Sequence, residues 1–144
     1  QRPDRRGQFL RRAKRHLAKQ KVEEADVAPV MRHELSRLVD KHYVMNAIIR
    51  DAVAEYESNV AATDVIKGMN MSARNARLKI LCSELDNEIT QGALAIVGIG
   101  GYALDGAISM SEVVRDALSA PLQVSNYRLG IRNAKVERFL DEVL

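Results

Sequence analysis

From Met31 onward, one set of residues recurs at alternating steps of four and three: Met31, Leu35, Leu38, His42, Met45, Ile49, Ala52 and Tyr56. At 3.6 residues per turn, positions three and four apart share a face, so these side chains form a single stripe on an α-helix. The helix is expected to begin with Pro29 in its first turn, where the missing N–H costs nothing, and to run to about Ser58. At 1.5 Å per residue that is roughly 42 Å, a length that points to a bundle of helices. His42 interrupts the stripe. It reads as a hydrogen-bonded core or edge residue, because neither His16 nor His33 stands at a paired-ligand spacing from it.

The remaining periodicity is also helical. A weaker pattern, Phe9, Leu10, Ala13 and Leu17, predicts a helix over Gly7–Val22, followed by a connection over Glu23–Ala28. Thr63 or Asp64 is a candidate N-cap for the next helix. That helix carries two stripes: Met69, Ala73, Ala76, Ile80 and Ser83 on one side, and Leu78, Leu81, Leu85, Ile89 and Ile96 on the other. A helix apolar on two sides is covered on both, which makes it the central member. It stops at Gly98-Ile99-Gly100-Gly101-Tyr102, where glycine supplies left-handed conformations past a helix end. A loop over Ala103–Ile108 leads to Ser109-Met110-Ser111-Glu112, which has the form of a capping box. A short helix to about Ala120 then presents Val113, Val114, Ala117 and Leu118, Pro121 interrupts it, and a last helix carries Leu129, Val136, Leu140 and Val143. The expected architecture is all-α: an up-and-down bundle of about four long antiparallel helices, with residues 1–28 as a basic helical arm and 29–144 as the bundle domain.

Composition agrees. With 144 residues, 47% hydrophobic, 28% charged and 4% aromatic, the chain has the size of one domain and too few aromatics for a typical β-sandwich. No apolar run approaches the roughly 18 residues of a membrane span. The charged N-terminus does not resemble a secretory signal, so a soluble, cytoplasmic protein is expected. The single Cys82 forms neither an internal disulfide nor a zinc site and reads as a small apolar residue. The net charge of +3 is unevenly spread: residues 1–21 hold nine Lys or Arg against Asp4, so the rest of the chain is net acidic by difference. A basic arm suits an acidic partner, but Phe9 is its only aromatic, which argues against base stacking and nucleic acid.

Familiar catalytic signatures are missing. There is no nucleophile elbow, nucleotide phosphate loop, paired-histidine motif or calcium loop. The glycine run follows a helix, whereas a dinucleotide fingerprint follows a strand. Glu84 and Glu88 stand one turn apart without the Glu-x-x-His partners of a di-metal site, so no metal ligand is assigned.

The segment Ala93-Leu94-Ala95-Ile96-Val97-Gly98-Ile99-Gly100-Gly101-Tyr102, followed by Arg115-Asp116-Ala117 and then Leu118–Leu129, resembles the C-terminal α-helical domain of acyl-CoA dehydrogenases. Lys79-Ile80 and Ser83-Glu84-Leu85 sit where that family's helix has a Lys and a Glu-rich turn. The resemblance spans about Met31 to Leu144 and is specific over Ala93–Arg128. It implies the oligomerisation and flavin-side domain of an enzyme that oxidises an acyl thioester α,β with hydride transfer to FAD. The glycine turn would approach the FAD of an adjacent subunit. Gly98, Gly100, Gly101, Tyr102, Arg115, Ser125 and Asn126 are thereby the candidate cofactor-binding residues. Partners implied are further copies in a dimer or tetramer, an acyl thioester on coenzyme A or a carrier protein, and N-terminal helical and β-domains in cis or on a partner subunit.

The sequence also departs from that pattern. Ala95 and Ile99 stand where many members have Gln and a second Gly, and residues 21–28 show no match to the Arg and Phe that touch FAD. The catalytic glutamate of several members would fall near Val124 or Ser125, so no catalytic residue is assigned. The alternative is a non-catalytic helical interaction module that assembles through its small-residue stripe and engages an acidic partner with the arm.

Overall fold

The computed structural model describes residues 5–19, 27–59, 65–105 and 109–143, and among these there is no strand. Five α-helices follow one another: α1 (Arg5–Lys19), α2 (Val27–Asn59), α3 (Val65–Val97), α4 (Ser111–Ser119) and α5 (Asn126–Val143), with a 3₁₀ turn at Ile99–Gly101 after α3. The all-α class is as expected. Two helices, not four, are long: α2 and α3 have 33 residues each. Pro29 lies in the first turn of α2, as its missing N–H requires. The expected N-cap at Thr63 or Asp64 and most of the expected connection over Glu23–Ala28 lie outside the described residues.

Helix α3 is the centre, packed against α1, α2, α4 and α5. It runs antiparallel to α2, since Lys41 pairs with Glu88 near one end and Arg74 pairs with Asp51 and Glu55 near the other, both at 2.6 Å. It is also antiparallel to α5: Asn126 meets Ser83, and seven residues on, Asn133 meets Ala73. The two stripes of α3 explain this position. Ala73, Ala76 and Ser83 are buried on the side of α5, while Ile89 and Ile96 join the main core with Leu35, Leu38 and Met45 of α2. Leu81, expected on the second stripe, is half exposed.

The basic N-terminal segment contributes to the same core. Leu10, Ala13 and Leu17 are buried along one side of α1, and Arg11, Lys14 and Arg15 are exposed on the other. Arg12 also ties α1 to the segment just before α4 by donating from Nη1 to the Ser109 carbonyl at 2.9 Å. Arg11, Lys14 and Arg15 thus belong to the outer face of a packed amphipathic helix. Within α2, the amide of Asn46 lies 3.3 Å from the ring nitrogens of half-buried His42, one turn away on the helix edge.

Candidate functional site

The end of α3 forms a compact knot. Gly98 N–H donates to Leu94 O at 2.8 Å, and Gly98 then turns with φ 76°, a left-handed value that L side chains rarely adopt. The chain tightens into the 3₁₀ turn, where Gly101 N–H donates to Gly98 O at 2.9 Å and Tyr102 N–H to Ile99 O at 3.0 Å. Met110 N–H closes the excursion on Gly101 O at 2.8 Å. Of the three glycines expected to supply left-handed backbone, only Gly98 has positive φ. Gly101 is favoured for a different reason: a Cβ there would lie 3.0 Å from both Leu94 Cδ1 and Val97 Cγ1, a tight fit that those side chains would have to shift to admit.

What this knot presents outward is apolar. Ile99 and Leu104 are 89% and 90% exposed, Tyr102 is more than half exposed, and the space beside Gly98 is open. These large apolar side chains, held out on a hydrogen-bonded turn, make an exposed apolar patch.

Helix α4 starts differently from expectation. Met110 is the N-cap residue and makes no side-chain capping bond. Ser109 Oγ instead donates to Ala103 O at 2.7 Å, tying down the loop before the helix. The capping box fails because the hydroxyl finds a loop carbonyl rather than an N–H of the first turn. Val114 and Ala117 are the buried face of α4, whereas Leu118 is half exposed. Arg115 points to solvent, with Asp116 its nearest carboxylate at 3.9 Å and a side-chain exposure of 77%.

The second cluster lies at the turn between α4 and α5. Lys79 Nζ donates to Asn126 Oδ1 at 2.6 Å and to Val124 O at 3.0 Å. Asn126 Nδ2 donates in turn to Ser83 Oγ at 2.9 Å, and Ser83 Oγ donates to Ile80 O at 2.8 Å. Val124, a β-branched residue, is held at φ 50°, a conformation that costs on the order of 1–3 kcal/mol unless its surroundings enforce it. The Lys79 ammonium is bonded to its carbonyl. Ser125 turns its hydroxyl back toward Arg128 N–H at 3.4 Å, at the start of α5. Leu122, Val124 and Tyr127 are left 72–79% exposed.

The seven candidate residues therefore fall in separate places. Gly98, Gly100, Gly101 and Tyr102 stand together at the end of α3. Asn126 meets α3 at Ser83, roughly 20 Å back along the helix axis from Gly98, and its amide is committed to the α3–α5 interface. Ser125 lies beside it, and Arg115 projects from α4. Among the described residues, no group of three or more His, Cys, Asp or Glu is placed to hold a metal ion.

Two features had no sequence signal. The left-handed backbone at Val124 is one, since valine is a poor indicator of positive φ. The other is Asp86, 3% exposed on α3 between Ser83 and Thr90, both also buried. Its i+3 spacing from Ser83 could have been read as a buried polar row, but an acidic residue in a helix ordinarily marks the wet face.

No family model, curated protein or solved structure matches the chain. No helix of the described residues is long and apolar enough to cross a membrane.

Proposed function

We propose that the chain serves as the C-terminal oligomerisation and flavin-side domain of an FAD-dependent acyl-thioester dehydrogenase. The observation that supports this most is the outward-facing turn at Gly98–Leu104, with open backbone at Gly98 and exposed apolar side chains around it. A backbone without a Cβ lets main-chain N–H groups come close to a phosphate or ring, which suits a cofactor carried by a neighbouring subunit. Gly98, Gly100, Tyr102 and Arg115 are the residues on offer for that contact. FAD, when bound, would supply hydride acceptance, and the chain's own part would be placement and electrostatics.

Assembly follows from the same picture. Val39, Tyr43, Val44, Val53 and Tyr56 of α2 and Tyr127 and Phe139 of α5 are 44–79% exposed, more apolar surface than a solitary bundle ordinarily leaves wet. A closed homo-oligomer would cover it. Light scattering at micromolar concentration checks this part, and a monodisperse monomer rejects it. The cofactor reading is checked by the absorption spectrum of the intact protein that contains this chain. Flavin bands are expected, with reduced flavin content after Gly98→Asp. An intact protein without flavin absorbance, with none on a partner subunit, rejects it.

The interaction-module alternative gains one specific observation, the exposed cations Arg11, Lys14 and Arg15 on the outer face of α1. It predicts partner binding that weakens with salt, and salt-insensitive binding rejects it.

A further inference from the structure

Between α3 and α5 lies a shallow, open groove of about 430 Å³, distinct from the glycine turn. Its floor is apolar, with Met71 half-buried and Leu129 and Ala76 buried behind it. Its walls carry Ser72, Asn75, Lys79 and Arg132, and among the described residues no carboxylate lines it.

The two cations are positioned without being neutralised. Lys79 is held by the Val124 carbonyl and the Asn126 amide oxygen, and Arg132 Nη2 by the Ser72 carbonyl at 3.4 Å. Every one of these acceptors is an uncharged oxygen. The neighbouring Arg74 and Arg77, by contrast, are paired with Asp51, Glu55 and Glu137. A groove that keeps two positive charges uncompensated, over an apolar floor, is electrostatically matched to an anion.

We propose that the α3–α5 groove binds a small amphipathic oxyanion, a carboxylate or phosphate ester on a compact apolar body, with Lys79 and Arg132 meeting the anion and Met71 and Leu129 the apolar part. Lys79 is the fixed cation. Arg132, exposed and tethered by one long bond, swings to complete the headgroup contact. Asn75 lies on the α3 wall between Ser72 and Lys79 and offers an amide donor along the path.

The test is calorimetric titration of the chain with four probes: hexyl phosphate, hexanoate, hexanol and inorganic phosphate. The two amphipathic anions are expected to bind, and the tighter of them identifies the headgroup. Hexanol and inorganic phosphate should each bind at least roughly tenfold more weakly, since each lacks one half of the match. Arg132→Gln should weaken the anions roughly tenfold, with partial rescue by Arg132→Lys. Asn75→Glu, an exposed change that leaves the packing alone, should abolish binding by placing a carboxylate in the groove, whereas Asn75→Gln retains it. Four results overturn the proposal: neither anion binds, hexanol binds as well as hexanoate, inorganic phosphate binds as well as hexyl phosphate, or folded Asn75→Glu binds like the original chain. None of these readouts involves flavin, so the outcome is separate from that of the dehydrogenase reading.

Discussion

The two ends of the α2–α3 pair are built from the same helices and held by different forces. At the end shared with α1 and α4, the contacts are between large apolar side chains: Leu10, Leu17, Leu35, Leu38, Met45, Ile89, Ile96 and Met110 form one cluster. At the end shared with α5, the buried apolar residues of α2 and α3 are small, Ala52, Ala73 and Ala76, and the joints are hydrogen bonds of Asn126 and Asn133 and ion pairs of Arg74 and Arg77. Burial of apolar area is the stronger force per residue, and exposed ion pairs contribute little. The first end therefore anchors the fold, and the second is held more lightly.

The largest difference should come from the anchored end. Met45, 1% exposed, truncated to Ala should cost about 2–5 kcal/mol in urea denaturation. A loss under about 1 kcal/mol would mean that the cluster relaxes around the gap and that the contrast between the ends is wrong. At the other end, Asn133→Ala removes the bond to Ala73 O at 3.2 Å and should cost about 1–3 kcal/mol. Its signature is local, with amide exchange accelerating in α5 before α1. Equal acceleration in both helices would show one cooperative unit in place of two.

Glycine sharpens the same contrast. Gly98→Ala forces a side chain into φ 76° and should cost about 1–2 kcal/mol. Gly130 stands within α5 with nothing inside 4 Å of a Cβ, and Gly130→Ala should stabilise by about 0.5–1 kcal/mol. Thermal melts of the pair should move in opposite directions. The smallest effect belongs to Arg74→Gln, whose exposed pairs with Asp51 and Glu55 should contribute less than about 1 kcal/mol, and less again in molar salt. A larger, salt-independent loss would place Arg74 in the packing rather than on the surface.

Much of the fold is legible in the chain. The stripe from Met31 to Ala52 marks the inner face of α2, and the two stripes of α3 announce its central place, because helical period and side-chain polarity are local properties. The expectation loses accuracy where a side chain chooses among distant acceptors. Ser109 bonds a loop carbonyl instead of capping α4, and Tyr56 and Leu118 keep their place in the pattern yet remain half exposed because no element covers them. Of the candidate residues, the Gly98–Tyr102 group stays together because it is contiguous. Ser125 and Asn126 are cofactor candidates by sequence, whereas the amide of Asn126 bonds Lys79 and Ser83, more than forty positions away.

The sequence by itself determined the helices, their inner faces and the break at Gly98, since each depends on residues within a turn or two of one another. Only the tertiary structure decided that the basic segment packs into the core through Leu10, Ala13 and Leu17, that Lys79 meets the carbonyl of Val124, which stands in left-handed backbone, and that Lys79 and Arg132 flank one groove. These depend on which helices lie side by side, and that choice is made by the burial of whole faces.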